Sequence, residues 1–108
     1  SILSRKAEER LFPLAQEKKV GVIINQPFEE GTLFRMVKGR ELPSWAEEFD
    51  CRSWGQFFLK FILSHNAVTC VIPGTSKPHH MLDNIGAGFG KLPEPNHRSQ
   101  MIKLISTL

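Results

Sequence analysis

The sequence predicts an α/β fold in which the strands of a parallel sheet alternate with helices. Two short runs rich in β-branched residues, VGVII at 20–24 and AVTCVI at 67–72, are typical of strands buried on both faces. Between them, SWGQFFLKFILSH at 53–65 has the apolar content of a well-buried helix. A strand, a helix and a second strand in this order predict a parallel pair joined by a right-handed crossover.

Two strands are too few for a sheet that is covered on both faces. Each strand would expose an apolar edge, so both are expected to have neighbours outside the 108 residues. The chain also begins at Ser1 without a methionine, as though it were cut from something longer. We therefore expect part of a larger α/β fold, with a module completed by oligomerisation as the alternative.

The first half of the chain combines one predicted helix with one long loop. Residues 5–19 are helical in composition, and Pro13 should either kink this helix or open its second half. The stripe expected to be buried consists of Leu11, Leu14 and Ala15. Residues 29–50 mix charges with glycine and proline, so they are predicted to be mostly loop, with a short helical turn over 44–49.

Three helices are predicted in the second half. The apolar helix should begin with a capping box, in which Ser53 and Gln56 accept hydrogen bonds from backbone N–H groups. Pro78 should open the next helix, because a missing N–H costs nothing at the first position. A last amphipathic helix is expected after Pro95. Its apolar residues at helical spacing are Met101, Leu104, Ile105 and Leu108.

Composition and charge indicate a globular domain with an ordinary surface. The chain is 41% hydrophobic and 23% charged, and its net charge of +3 comes from interleaved acidic and basic residues without a basic block. This pattern disfavours a nucleic-acid-binding protein. No apolar run approaches the roughly 18 residues that span a bilayer, and no signal peptide is visible. Two cysteines without metal-site spacing favour a reducing, cytoplasmic compartment, and Cys70 is expected to be buried.

The stretch CVIPGTSKPHHMLDN at 70–84 has the chemistry of a phosphate-binding turn. Gly74 permits a close approach of the backbone to a ligand, and the free N–H groups of the helix that starts at Pro78 attract anions. The polar groups between them belong to Thr75, Ser76 and Lys77. An ordinary strand–turn–helix connection has the same pattern, so the residues alone leave both interpretations open.

The histidines of the second half do not predict a metal site. His79 and His80 are adjacent and therefore point in different directions on a helix, and Asp83 is the only other suitably spaced ligand. Asp83 and Asn84 are equally compatible with an exposed polar helix face. His65 ends the apolar helix, where a positive charge is favourable, and this is a better interpretation than a catalytic role.

The stretch VIPGTSKPHHMLDNIGAG closely resembles the last strand, turn and helix of the aldo-keto reductases. In that family this segment holds the adenosine end of NADP(H). The resemblance implies that Asp83 and Asn84 contact the adenine. It also implies contacts to the 2′-phosphate from Gly74, Thr75, Ser76, Lys77 and His80. Because many members have lysine at the position of Gly74 and arginine or glutamine at that of His80, NAD(H) remains the alternative to NADP(H).

The resemblance extends over essentially the whole chain. GVIINQPFEEG is similar to the seventh strand and the loop that wraps the pyrophosphate, which implies cofactor contacts from Gln26, Pro27 and Phe28. Asn25 stands where many members stack a tyrosine on the nicotinamide. SILSRKAEE resembles the exit of strand six, and residues 29–50 match the loop that closes over bound cofactor. The implied fold is the C-terminal portion of a (β/α)8 barrel, strands 7 and 8 with their helices, incomplete as a stand-alone barrel.

This resemblance implies a role in NAD(P)H-dependent reduction of aldehydes and ketones to alcohols. The family donates the proton from a tyrosine that an aspartate, a lysine and a histidine tune, all in the first half of the barrel. This chain contains no tyrosine, so we expect residues 1–108 to be a cofactor-binding portion without catalytic residues, inactive alone. The expected partners are the cofactor, a small carbonyl substrate of the parent enzyme, and the missing N-terminal part of the barrel or a second copy.

Two other function classes remain. A non-catalytic half-barrel module would bind a nucleotide or a partner chain without any reductase chemistry. An unrelated doubly wound phosphate-binding domain is less favoured, because the dinucleotide-binding form of that fold needs a Gly-x-Gly-x-x-Gly turn that this sequence lacks.

Overall fold

A computed structural model describes residues 1–108 and has the predicted α/β class. The helices are α1 (Leu11–Glu17), α2 (Thr32–Met36), α3 (Trp54–Leu63), α4 (Pro78–Gly86) and α5 (Pro95–Ser106), the strands are β1 (Ile23–Ile24) and β2 (Cys70–Val71), and short 3-10 helices cover Lys6–Glu8, Glu29–Gly31 and Ser44–Phe49. The strands pair in parallel, with Ile23 opposite Cys70. The sheet has two strands and is not a closed barrel. None of the helices is long and apolar enough to cross a membrane.

Both strands are shorter than predicted and are covered on one face only. Ile24 and Val71 are half-buried and pack against the hydrophobic core. Their neighbours Ile23, which is 64% exposed, and Cys70 point to the other face, because side chains alternate along a strand. The prediction of strands buried on both faces is therefore wrong for this structure. The prediction that Cys70 is buried is wrong for the same reason, since no second layer covers its face.

Helix α3 forms the centre of the hydrophobic core. All residues from Gly55 to Ile62 are buried, and four of them, Phe57, Phe58, Phe61 and Ile62, belong to the main core cluster. The other members come from the N-terminus, α2, the Ser44–Phe49 turn and α5, and they are Ile2, Leu33, Val37, Ala46, Phe49, Cys51, Met101 and Ile105. The strong apolar helix is thus confirmed.

The start of α3 is capped, although only half of the predicted capping box forms. The backbone N–H of Gln56 donates to Ser53 Oγ at 3.1 Å, as expected for an N-cap serine. Gln56 Oε1 accepts from the backbone N–H of Arg52 at 2.9 Å instead of from that of Ser53. The Gln56 amide nitrogen consequently points to α4, where it donates to the backbone oxygen of Asp83 at 3.1 Å.

The region predicted as mostly loop contains a helix. The turn over Ser44–Phe49 is confirmed as a 3-10 helix, but α2 was not predicted. Its five residues are too few to be stable alone, and Leu33 and Val37, one helical turn apart, are both buried in the core. Tertiary packing stabilises a helix here that the local sequence does not indicate.

The predicted helix over residues 5–19 consists of a 3-10 turn followed by α1. Pro13 lies in the first turn of α1. It therefore opens the second half of the predicted helix, which is one of the two predicted options. The predicted stripe is wrong in part. Phe12 and Ala15 are buried, whereas Leu11 and Leu14 are 58% and 45% exposed.

Lys60, in the middle of α3, is fully buried without a carboxylate partner. Its Nζ donates to the backbone oxygens of Phe49 at 2.9 Å, Phe89 at 2.8 Å and Lys91 at 2.7 Å. Three acceptors match the three N–H groups of an ammonium. Burial lowers the pKa of Lys60, while the three carbonyls favour its charged form. These hydrogen bonds join α3 to the segment that precedes α3 and to the segment that follows α4.

Candidate functional site

A groove opens where the two parallel strands end, between β2, α4 and the first turn of α3. Its larger part has a volume of about 510 Å³. The residues that line it are Phe28, Phe34, Ser53, Trp54, Gly55, Gly74, Thr75, His80, Asp83 and Asn84. An adjoining part of about 400 Å³ follows the exit of β1 and shares Phe28, Phe34 and Gly74 with the first. The two parts together form the strand-exit groove.

The structure brings most of the sequence-predicted cofactor contacts to this groove. Those that line it are Gln26, Pro27, Phe28, Gly74, Thr75, His80, Asp83 and Asn84. Ser76 and Lys77 line neither part and lie exposed between Thr75 and the start of α4. Sequence reasoning missed Ser53, Trp54 and Gly55. The cap of α3 was the available signal, since it places the start of that helix beside the strand ends.

The exit of β1 adopts a backbone conformation that glycine normally favours. Gln26, Glu29 and Glu30 have φ values of 48°, 50° and 54°. Each left-handed non-glycine residue costs on the order of 1 kcal/mol, and such conformations concentrate at functional sites. Gln26 Nε2 donates to Glu30 Oε1 at 3.3 Å, and Pro27 between them is buried. The turn is thereby held in one shape along the edge of the groove.

The exit of β2 exposes its backbone and the hydroxyl of Thr75. No atom lies within 4 Å of the position that a Cβ would occupy on Gly74, so its backbone is open to the groove. Thr75 Oγ1 accepts from the Lys77 backbone N–H at 3.2 Å, which leaves the Thr75 hydroxyl proton free to donate. Lys77 is the N-cap of α4 and provides no side-chain cap. Pro78 has no N–H, and the backbone N–H groups of His80 and Met81 donate to the Lys77 oxygen at 3.1 Å, which leaves the His79 N–H without a partner.

Aromatic rings form the wall of the groove opposite α4. Phe34 lies 4.7 Å from Phe28 and 5.6 Å from Phe58 between ring centroids, and Trp54 stacks on Phe58 at 5.9 Å. The Trp54 indole N–H donates to the backbone oxygen of Arg40 at 2.9 Å, which fixes its orientation. Phe34 is 41% exposed, so a flat apolar surface is available to a ligand.

Asp83 and Asn84 are neighbours on α4 with different surroundings. Both carboxylate oxygens of Asp83 accept hydrogen bonds from α3, from Ser53 Oγ at 2.6 Å and from Gln56 Nε2 at 3.3 Å. Asn84 is half-buried, lines the groove, and has no hydrogen-bond partner within the chain for its side-chain amide. The two residues therefore differ in what they can offer to a ligand.

The three histidines His65, His79 and His80 have different surroundings, and one of them lines the groove. The rings of His79 and His80 lie 4.3 Å apart, but only His80 lines the groove. No three His, Cys, Asp or Glu side chains converge to hold a metal ion. His65 Nδ1 accepts from the backbone N–H of Ala67 at 3.1 Å, and its ring packs against Phe12.

Comparison with known proteins gives a consistent result. The family described as "Aldo/keto reductase family" matches residues 1–100. Two solved structures of aldo-keto reductase AKR11C1 from Bacillus halodurans, the holo and apo forms, match with 27% sequence identity and TM-scores of 0.69 and 0.70. Each match covers 97% of this chain, which spans 40% of the length of those chains. No curated protein matches the sequence.

Proposed function

Because the chain belongs to the aldo/keto reductase family, we propose that its strand-exit groove binds a nicotinamide cofactor through the adenosine half. The observation that carries this proposal is the convergence of both strand exits and of α4, through His80, Asp83 and Asn84, on one groove. The chain would be the cofactor-binding part of a reductase that converts aldehydes and ketones to alcohols. Bound in such an enzyme, the cofactor supplies hydride to the carbonyl carbon.

The end of the groove at α4 fits an anionic phosphate. Gly74 lets a ligand approach the backbone, Thr75 has a free hydroxyl proton, and the backbone N–H of His79 at the start of α4 has no partner. Lys77 and His80 are exposed beside them and add positive or hydrogen-bonding groups. These groups support a 2′-phosphate contact, so we propose NADP(H) as the cofactor and NAD(H) as the alternative. Ser76 is included in the proposed contacts because it lies between Thr75 and Lys77.

The wall of the groove fits a purine ring. Phe34 and Trp54 offer flat apolar surface, and Asn84 offers an amide that can both donate and accept. In the adjoining part of the groove, at the exit of β1, the pyrophosphate would contact Gln26, Pro27 and Phe28.

The first test is a titration of the chain with NADPH and with NADH, followed by cofactor fluorescence. We expect saturable binding, tighter for NADPH. The His80→Ala/Asn84→Ala variant should lose at least about tenfold in affinity, because it removes one contact at each end of the adenosine half. The matched control, His79→Ala/Asn96→Ala, changes the same residue types outside the groove and should bind as the wild type does. A folded wild-type chain that binds neither cofactor would overturn the proposal.

The reduction of carbonyls is proposed for the whole enzyme and not for this chain alone. No tyrosine is present to donate the proton, so we expect no NADPH oxidation with an aldehyde until the remaining β/α units are added. Both cysteines are free, which agrees with the proposed cytoplasmic location. Carbonyl reduction by this chain alone would contradict the proposal that residues 1–108 bind the cofactor without supplying the catalytic residues.

A second candidate is a non-catalytic module that binds a partner chain. The observation that favours it is the uncovered sheet face, where Ile23 and Ile72 are 64% and 57% exposed. The reconstitution experiment separates the candidates. A module of this kind would stay inert after the missing units are added, whereas the cofactor-binding part of a reductase would gain activity.

A further inference from the structure

The side of α4 that faces away from α3 is apolar and exposed. Met81, Leu82 and Ile85 are 42%, 72% and 51% exposed, and Phe89, just beyond the helix, is 69% exposed. The backbone N–H of Phe89 donates to the oxygen of Gly86 at 3.2 Å, so the chain continues to turn up to that residue. Ile85 is three or four residues from each of the other three apolar side chains, so all four lie along one face. We call this surface the α4 stripe.

No other part of the chain covers the α4 stripe, because α4 contacts α3 through its other side. Asp83 accepts from Ser53 Oγ at 2.6 Å, and a Cβ on Gly86 would come within 2.5 Å of Gln56 Nε2. Ile85 lies two residues after Asp83 and so points about 160° away from it around the helix axis. A surface helix of a single domain normally has polar residues on that outer side. The outer side of α4 is apolar and therefore lacks a partner within this chain.

The exposed area of the α4 stripe is close to that of a small protein interface. Its four side chains leave roughly 450 Å² open, so two copies packed together would bury about 900 Å², compared with about 1,200 Å² at the lower end of stable, specific interfaces. The residues around the stripe have to supply the remainder. Contiguous apolar patches of this size mark sites of association. The area fits a weak, reversible complex.

The spacing of the α4 stripe suits a second copy that packs antiparallel to the first. Ile85 lies in the middle, with Leu82 about one turn before it and Phe89 about one turn after it. When two such helices cross on a two-fold axis near Ile85, each Leu82 meets Phe89 of the other copy and the two Ile85 side chains meet each other. The same residues then serve both sides of the contact, as an isologous interface requires.

The charges around α4 also permit a second copy. Asp83 is the only Asp, Glu, Lys or Arg residue between Pro78 and Gly86, and its carboxylate faces α3. No like charges are therefore brought together when two stripes meet. Lys77 is exposed at the N-terminus of α4. An antiparallel second copy places Lys77 beside the C-terminal end of the other α4, where the helix dipole favours a positive charge.

We propose that the chain associates with a second copy of itself through the α4 stripe, as an antiparallel dimer with two-fold symmetry. The residues of α4 that line the strand-exit groove are His80, Asp83 and Asn84, and none of them belongs to the stripe. Both grooves therefore stay open in the dimer, and the inference is independent of what the groove binds. The limited area predicts a dissociation constant on the order of 10 μM.

The first test is the mass of the chain by sedimentation equilibrium, from about 1 μM to about 500 μM, a range that brackets the expected dissociation constant. The mass should rise from 12.3 kDa to twice that value. Leu82→Glu places a carboxylate in the contact and should weaken association at least about tenfold. Leu11→Glu, the same change at a 58% exposed position of α1, is the matched control and should associate as the wild type does. Ile23→Glu is the control for the open sheet face and should also leave association unchanged.

The second test is cross-linking at the proposed two-fold axis, with a short bis-maleimide reagent. Ile85→Cys is made in a Cys70→Ser background, so that the remaining native thiol is the buried Cys51. We expect a cross-linked dimer, which should decrease strongly when Leu82→Glu is added. Leu11→Cys in the same background should stay monomeric. This measurement decides the proposal even if circular dichroism shows that Leu82→Glu alone is unfolded.

The other occupants of the stripe give different results. A chain that stays monomeric over the whole range, or a mass that climbs past the dimer without a plateau, would overturn the proposal. Association that survives Leu82→Glu and is lost in Ile23→Glu would place the second copy on the open sheet face, and it too would overturn it. A monomeric chain in which Leu82→Glu blocks reconstitution with the missing β/α units would assign the stripe to those units instead of to a second copy.

Discussion

Helix α3 and the strand pair β1–β2 are neighbours in this chain with very different surroundings. Every residue of α3 from Gly55 to Ile62 is buried, including one charged side chain. The strands have no fully buried residue, and Ile23 on β1 is 64% exposed. In a parallel α/β fold both faces of the sheet are usually covered. Here the core packs against one face of the sheet, and the other face is exposed.

This difference shows where the stability of the chain comes from. The core consists of aromatic and aliphatic side chains around α3, and the sheet contributes only the residues on its covered face. The strand-exit groove lies at the border of the two regions. Its α3–α4 side is fixed by packing and by the hydrogen bonds of Ser53 and Gln56 to Asp83, while its β1 side depends on a local turn with left-handed residues. Substitutions in the two regions should therefore differ strongly in effect.

The largest effect is expected at Lys60. Lys60→Met keeps much of the side-chain volume but leaves three backbone carbonyls without their donor, which should lower the free energy of unfolding by about 3 kcal/mol. Urea denaturation followed by circular dichroism measures this loss. Lys103→Met, an exposed change of the same type on α5, should stay within about 0.5 kcal/mol of the wild type. Equal midpoints for both variants would contradict the view that α3 depends on its buried ammonium.

A second effect distinguishes the two cysteines. Burial raises the pKa of the Cys51 thiol, beside α3, to about 11, whereas Cys70 is exposed on the open face of the sheet. At pH 8 a thiol with that pKa has roughly 200-fold less thiolate than an ordinary one with a pKa of about 8.5. We expect one fast-reacting thiol per native chain with a disulfide reagent, lost in Cys70→Ser and kept in Cys51→Ser. Two equally fast thiols would show that the α3 region opens readily.

The raised pKa of Cys51 also predicts the direction of a pH effect on stability. The folded chain retains the thiol proton more tightly than the unfolded chain does, so the contribution is complete below the ordinary thiol pKa of about 8.5. It should be lost as the pH rises toward about 11. Denaturation of Cys51→Ser over the same pH range is the control, since it removes the titrating group.

The smallest effect on stability is expected for substitutions at two adjacent residues of β1. Ile24→Thr places a hydroxyl against the core and should cost about 1–2 kcal/mol, whereas the same change at Ile23, on the open face, should cost less than about 0.5 kcal/mol. Because both positions lie in one strand, strand propensity is matched. Similar losses at both positions would indicate that the open face is covered in solution, for example by a second copy, and the mass of the chain in solution would then test that.

Parts of the candidate site could be predicted from sequence because they depend on short-range chemistry. Pro78 and the turn before it placed a helix start beside a strand end, and the structure has α4 there. The groove contains Gly74, Thr75 and His80 as well. Sequence could not indicate that Asp83 is bonded to α3, because its partners Ser53 and Gln56 are about thirty residues earlier in the chain.

By itself, the sequence determined the order of the strands and of the helices other than α2, the parallel class, and the starts of α3 and α4, since caps, prolines and periodic apolar residues act within a few positions. Only the tertiary structure decided that α2 is a helix, that Cys70 is exposed, that Lys60 is buried, and that Asp83 faces α3. Each of these depends on which distant segments come to lie against a residue. That is a property of packing, and no local pattern encodes it.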